Sequence, residues 1–424
     1  MKDIAGIILA AGEGTRMNSK IPKVLHKVAG RPMLEYMLEL LKELGIEQTV
    51  VVVGHKAQEV KTLLQGRPGV TTVLQPKLLG SGDAVWQAKK ALADFSGDIL
   101  VVYGDTPLVS GHSLKKLIQL HKASLAACTF LTATLKNPTG FGRILRSQDN
   151  RVIKIVEEQD ADNYERALEE INVGAYCFSK NELFAGLEEL KPDNVKKEYY
   201  LTDIIAVLGK KKARIESVLT RDPEEAQGVN SRADLARANA VINKRNIAKL
   251  ESCGVTVVDS ATTYIYGEVQ AGCDSVIYPH TVIEGRVKIG EGCKIGPFAR
   301  LRAGTVLEDG AQIGNFVEIV RSRIGSGSKI KHHSYIGDAV VGQGVNIGAG
   351  TITANYDGVK KNPTIIGDGA FVGVGSILIA PVKIGKKALI GAGCVVTKNK
   401  DVPGGATVVG IPAKILRKKK INSK

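Results

Sequence analysis

Aromatic residues make up only 5% of this 424-residue chain, with a single tryptophan. That scarcity argues against a platform of stacked rings for nucleic-acid bases. Cysteine is also sparse. Cys128, Cys177, Cys253, Cys273, Cys293 and Cys394 are scattered, with no Cys-x-x-Cys pair and no matching histidine spacing. This excludes a disulfide framework and a zinc site, and the six read as small buried apolar residues in a reducing compartment. Long hydrophobic runs are missing too. The apolar stretch at residues 4–11 is too brief to cross a bilayer and is followed by no cleavage-site pattern, so a soluble, cytoplasmic protein without a membrane partner is expected. Acidic charge is outweighed: the formal net charge is +15 and the pI is near 9.4. Yet the basic residues are spread along the chain, and helix-turn-helix, RNA-recognition and zinc-finger signatures are absent. No nucleic-acid partner is therefore expected, and the basic surface suits small polyanions instead.

What is abundant is periodicity. From Ile265 to Val396 an aliphatic residue recurs at every sixth position, as in Ile277, Ile283, Ile289, Ile295, Leu301, Leu307, Ile313 and Ile319. After one-residue slips the series continues through Ile324, Ile330 and Ile336, and again through Ile366, Val372, Leu378, Ile384 and Ile390. A helix needs a period near 3.6 and an amphipathic strand a period of 2, so a period of six means short strands separated by turns. Three such hexads close one coil of a parallel β-helix, with aliphatic side chains stacked inside and glycines at the corners. The pattern breaks at residues 353–364, which reads as a loop excluded from the coil and a favoured place for ligands.

The N-terminal half follows a different rule. Apolar runs of strand length at residues 4–9, 49–53 and 99–103 alternate with helical periodicity at 33–44 and 81–93. This predicts an α/β unit with an open, mostly parallel sheet, whose ligand sits at the carboxyl ends of the strands. The loop after the first strand carries Gly12 and Gly14, which let backbone approach a phosphate, and Arg16 and Lys23, which bring positive charge. It is not a Walker A loop, since no Gly-Lys-Ser/Thr follows, and it lacks the third glycine of the dinucleotide fingerprint. Residues 232–250 contain no Pro or Gly and read as a long helix separating the two halves.

The string Gly12-x-Gly-Thr-Arg16-Met-x-Ser-x-x-Pro-Lys23 resembles the signature of the sugar-nucleotide pyrophosphorylases, and the flanking Ala10-Ala11 and Val-Leu-His resemble their uridylyltransferase branch. Further blocks follow in the same order: Leu74-Gln75, Gly80-Ser81, Tyr103-Gly104-Asp105, Gly142, Glu157, Asn172, Thr202 and Asn230. With the hexads behind them, the chain resembles the bacterial family of bifunctional N-acetylglucosamine-1-phosphate uridylyltransferase/glucosamine-1-phosphate N-acetyltransferases. The resemblance implies a Rossmann-like nucleotidyltransferase domain at 1–229, a linker helix at 230–252, a left-handed parallel β-helix at 253–416 and a basic tail at 417–424. It implies that Leu9, Ala10, Ala11, Gly12, Gln75, Gly80, Ser81, Tyr103 and Gly104 hold UTP and that Arg16 and Lys23 neutralise its phosphates. Asp105 and Asn230 would hold Mg2+, and Gly142, Glu157, Asn172 and Thr202 would grip the sugar.

In the second half, an acetyl transfer to an amine needs a group that takes a proton near neutral pH, and histidine fits that demand. By resemblance, His332 is the base and Glu318 orients it, with His333 pointing to the other side of the strand. Arg302, Tyr335, Asn346, Asn355 and Tyr356 would contact the acceptor, while Ala349 and Ala392 line an acetyl-CoA groove between the chains of a homotrimer. The pattern also departs from the family. A phosphate-binding lysine is replaced by Val320, with Arg321 beside it; a serine is replaced by Val374; an expected C-terminal arginine falls in Val409-Gly-Ile-Pro-Ala-Lys414. Lys197 stands where the family carries a small or neutral residue. Two alternatives follow: a β-helix that acetylates another amino sugar, or one that only assembles a trimer.

Overall fold

The computed structural model describes residues 3–416. The basic tail therefore lies outside the described residues. Contacts divide the chain into two compact units meeting between Val241 and Ile242. That division falls inside one helix, Arg232–Ser252.

The first unit is built on a nine-stranded sheet. Its strands are β1 (Ile4–Ala10), β2 (Gln48–Val53), β3 (Val70–Leu74), β4 (Asp98–Tyr103), β5 (Cys128–Thr134), β6 (Arg143–Arg146), β7 (Val152–Val156), β8 (Glu170–Ser179) and β9 (Ile215–Leu219). They lie in the order β9-β5-β8-β4-β1-β2-β3, with β6 pairing both β7 and β8. β1 runs parallel to β2 and β4, while β8 runs antiparallel to β4 and β5. Every residue of β1 is buried, as expected of a central strand covered on both faces by helices such as Met33–Glu43 and Ser81–Gln87. Leu9 of β1 is in register with Tyr103 of β4, so the loops that follow these two strands leave the sheet side by side.

The second unit is a parallel β-helix of three sheets with ten, eight and seven strands. The hexad residues stack from coil to coil: Ile265 on Ile283, then Leu301, Ile319 and Ile336, all essentially without solvent exposure. Burying each such side chain is worth about 1.5–3 kcal/mol. The break in the hexads is a loop between strands Ile352–Ala354 and Thr364–Ile366, with Val359 90% exposed at its tip. The last coil ends in a hairpin, Thr407–Val409 against Lys414–Ile415.

The glycines divide into two kinds, and only one matches the expectation of corner residues. Gly292 at a corner has φ +61° and open space around its Cα. Gly367, directly after Ile366, has ordinary φ, but a Cβ there would sit 2.6 Å from the backbone nitrogen of Lys386 in the next coil. Several left-handed corners carry other residues, including His280, Phe298, Phe316, Arg321, His333 and Asp338. The cysteine expectation also needs correction: Cys128, Cys177, Cys293 and Cys394 are buried, but Cys253 and Cys273 are exposed, and all six are free. Cys253 follows the last helical turn and Cys273 sits in a turn between strands, so neither can reach a core.

Candidate functional sites

In the first unit, the loop after β1 is pinned by a short 3-10 turn, Thr15–Met17, with left-handed Gly14 and Asn18 on either side and Met17 buried beneath it. Gly14 allows close packing: a Cβ there would lie 2.7 Å from Cβ of Lys23. This folds the loop so that Lys23 turns inward while Arg16 remains exposed, and among the described residues no carboxylate pairs with Arg16. Lys23 Nζ forms an ion pair with Asp105 and donates to Asn230 Oδ1 at 3.0 Å. The structure thus brings together a carboxylate and a carboxamide 125 residues apart in the chain, with a cation between them. The backbone N–H of Val229 donates to the Asp105 carbonyl at 2.8 Å, fixing the approach. Asp234, unforeseen from the sequence, accepts from the backbone N–H groups of Asn230 and Ser231.

The remaining candidates surround this pair. Gln75 is buried, and its side-chain amide donates to the Gly80 carbonyl at 3.0 Å and to Asp83 at 2.7 Å, leaving Oε1 as an acceptor for a ligand N–H. Ser81 begins its helix and its Oγ accepts from the Leu201 N–H. Gly80 (φ +112°) permits contact with the Tyr199 backbone. Leu9, Ala10 and Ala11 are buried at the end of β1, whereas Gly12 is exposed and a Cβ there would meet nothing within 4 Å, so its space is open for a ligand. Gly104 follows Tyr103, and burial pushes the Tyr103 phenol well above its usual range. β8 bulges between Asn172 and Tyr176; Gly174 there has φ +86° and lets the Tyr103 ring pack against its Cα. Asn172 donates to Tyr176 Oη at 2.6 Å, and Gly142 lies against Glu157. Thr202 donates to Glu157 Oε1 at 2.9 Å, while burial raises the Glu157 carboxyl.

In the second unit, His332 ends the strand Lys329–His332 and is exposed. Its Nδ1 lies 2.8 Å from Asn315 Oδ1, directly beneath it in the preceding coil. An amide oxygen only accepts, so the ring carries a hydrogen on Nδ1, and the neutral form of the ring has its lone pair on Nε2. Glu318, expected to orient His332, instead accepts from Arg302 Nη1 at 2.9 Å. The reason is register: Glu318 is paired with Tyr335 across the corner from His332, and Asn315 is the residue opposite His332. His333 is not on the strand. It occupies the left-handed corner (φ +44°) and stacks on Phe316 at 5.0 Å.

Asn355 is buried, whereas Tyr356 is 61% exposed with its hydroxyl donating to the Gly358 carbonyl at 2.6 Å. Asn346 and Ala349 are half-buried in the coil above His332, and Ala392 is exposed on the surface of a later one. Val320 is buried, Arg321 turns out at a left-handed corner rather than continuing a regular strand, and Val374 is 54% exposed. The Arg302 guanidinium is shared between Glu318 and Glu284. Lys197 has φ +56°, a conformation that favours glycine, which fits the expectation of a small residue at this position and leaves the lysine without a structural explanation.

Comparison with known proteins places these features in company. The MobA-like NTP transferase domain family matches residues 6–197, the GMPPB C-terminal domain family residues 264–356, and the hexapeptide repeat of succinyl-transferase residues 363–398. A "Bifunctional protein GlmU" from Heliobacterium modesticaldum is 43% identical over 95% of this chain and 94% of its own length. Proteins of the same name from Pelobacter propionicus and Carboxydothermus hydrogenoformans are 43% and 44% identical, covering 96% and 95% of this chain and 96% and 97% of their own lengths.

Proposed function

The chain belongs to the GlmU family of bifunctional enzymes, a nucleotidyltransferase joined to a hexapeptide acetyltransferase, and we propose that it makes UDP-N-acetylglucosamine in two steps. The second unit transfers acetyl from acetyl-CoA to the amine of glucosamine 1-phosphate. The first then joins the product to the uridylyl group of UTP. The observation that carries the first step is the convergence of Lys23, Asp105 and Asn230 behind an Arg16 that has no carboxylate partner among the described residues.

In uridylyl transfer a phosphate oxygen of the sugar phosphate attacks the α-phosphorus of UTP and pyrophosphate leaves. The difficulty is the alignment of like charges, not removal of a proton. Arg16 and Lys23 neutralise the triphosphate, and Gln75 Oε1 accepts the uracil imide N–H. The oxygens of Asp105 and Asn230 fit a divalent metal, since a carboxylate and an amide carbonyl already converge on one ammonium. Asp105 and Asn230 would hold Mg2+ with few protein ligands, which suits this ion. Bound there, it supplies charge neutralisation on the phosphates. Asn172, Glu157 and Thr202 face the sugar.

In acetyl transfer the amine attacks the thioester carbonyl, His332 Nε2 takes the amine proton as the C–S bond breaks, and it returns that proton to the departing thiolate, so coenzyme A leaves as the thiol. Asn315 holds the ring so that Nε2 faces outward. The exposure of His332, Tyr356 and Ala392 supports a site completed by neighbouring chains of a trimer, with acetyl-CoA between them. UTP and acetyl-CoA are cytoplasmic metabolites, and no helix among the described residues is long and apolar enough to cross a membrane. Val320 and Val374 favour a second reading of the acetyl acceptor, an amino sugar with weaker demands on phosphate binding.

The test is one coupled reaction with glucosamine 1-phosphate, acetyl-CoA and UTP, reading thiol and pyrophosphate together. Both signals are expected. Pyrophosphate appearing only when the sugar is supplied already acetylated would confine the activity to the first unit, and thiol release with glucosamine but not its 1-phosphate would favour the second reading.

A further inference from the structure

Asp105 and Asn230 ride on separate segments of the first unit, and those segments are tied to each other twice. The first tie is the hydrogen bond from the Val229 N–H to the Asp105 carbonyl at 2.8 Å. The second lies further out: Ser110 stands five residues after Asp105, and Glu225 five residues before Asn230. Glu225 belongs to the short 3-10 turn Pro223–Ala226 that follows β9, is only 4% exposed, and accepts from three donors. These are the Ser110 backbone N–H at 3.2 Å, Ser110 Oγ at 2.8 Å and Ser113 Oγ at 2.9 Å. Ser110 also caps the helix Gly111–Ser124 by accepting from the Ser113 N–H, so the carboxylate grips the start of that helix. Ala226 and Val229 are buried, which anchors the run between Glu225 and Asn230 along its length. Burying a carboxylate is unfavourable even when its oxygens are hydrogen-bonded, and an apolar side chain would fill the space with less desolvation. What the carboxylate supplies is direction. A segment tied only at Val229 would pivot about that bond and swing the Asn230 side chain; tied at both ends, it is held.

We propose that Glu225 is a positioning residue for the metal: by clasping Ser110 and Ser113 it sets the separation of Asn230 from Asp105, and through it the affinity for Mg2+ in uridylyl transfer. This rests on the reading of Asp105 and Asn230 as the metal's holders and deepens it. Glu225 acts through the backbone it pins, as outer partners do when they orient the groups that touch an ion.

The experiment uses the full-length protein and reads metal dependence in two ways. One is the Mg2+ concentration that gives half-maximal pyrophosphate release; the other is UTP affinity measured by calorimetry with Mg2+ and with EDTA, no sugar present. In Glu225→Ala the half-maximal Mg2+ concentration should rise about tenfold or more, the usual size of losing an outer partner of a metal ligand. The gain in UTP affinity that Mg2+ confers should shrink by a similar factor. UTP affinity in EDTA should stay within about twofold of the unaltered protein, since the groups that then hold UTP share no partner with Glu225. Ser110→Ala and Glu225→Gln each weaken the clasp without removing it and should show smaller shifts in the same direction; they decide the matter if Glu225→Ala does not fold. A merely structural role would lower the melting temperature and leave the Mg2+ dependence alone, or weaken UTP binding equally with and without the metal, and either result overturns the proposal. Asn230→Ala is the reference. If it too leaves the Mg2+ dependence unmoved, the reading of Asp105 and Asn230 as the metal's holders fails, whereas a response to Asn230→Ala without one to Glu225→Ala sinks only the role of Glu225.

Discussion

His332 owes its orientation to a neutral neighbour. Asn315 supplies only an acceptor oxygen, so it selects a tautomer without adding a negative charge beside the ring. His332→Ala should abolish thiol release while leaving pyrophosphate release intact, and Asn315→Ala should slow acetyl transfer by about tenfold, the value of one directed hydrogen bond in a transition state. Parallel thiol and pyrophosphate assays check both. A second residue-scale consequence concerns acid. Burial, and then the nearby Glu157 and Asp160 carboxylates, push Asp203 up to about 6. Between its ordinary value and 6 the folded chain keeps a proton that the unfolded chain has released, so this carboxyl's contribution is full below about pH 4 and is lost as pH rises through 6. Asp203→Asn should remove that loss, stabilising the first unit by about 1–2 kcal/mol at pH 7 and not at pH 4. Denaturant titrations at the two pH values measure it. Equal effects at both would show that the asparagine acts by another route.

At the scale of elements, the coils test the two kinds of glycine against each other. Gly367→Ala forces a Cβ against the backbone of the neighbouring coil and should cost about 2–4 kcal/mol, because backbone on both sides has little room to give. Gly292→Ala meets only its positive φ, in open space, and should cost about 1 kcal/mol. Urea titrations followed by circular dichroism would rank them. The coil itself was legible in the sequence because a six-residue period has no other simple explanation. The parallel sheet was legible because its central strands are apolar on both faces. What escaped was set between coils rather than along the chain. Which residue lies beneath His332 depends on whether a coil holds seventeen or eighteen residues: the one-residue slip after Ile319 places Asn315 there, where an eighteen-residue coil would place Gly314. The register of that slip was the available signal. The left-handed placement of Phe298, Phe316 and His333 had no such signal, since bulky residues seldom adopt positive φ.

For the molecule as a whole, metal dependence should separate the two activities. Removing divalent cations with a chelator should stop pyrophosphate release and spare thiol release, since nothing in the acetyl-transfer chemistry draws on Asp105 or Asn230; added Mg2+ should restore the first. Loss of both activities on chelation would contradict the division of labour. The resemblance in the first unit implied Asp105 and Asn230 as joint holders of one ion, but the ion pair of Lys23 with Asp105 and its hydrogen bond to Asn230 needed the pairing of β1 with β4 and the return of the chain at Val229. Repetition in the second unit carries a different consequence. Each rung touches only the rungs before and after it, as the excluded loop shows: it lengthens one turn while Ala339, Val340 and Val341 still meet Thr364, Ile365 and Ile366 in step. Such a column is free to grow or shrink at its far end by whole turns, and homologous genes should differ there in multiples of a rung, with the chemistry lower down left undisturbed.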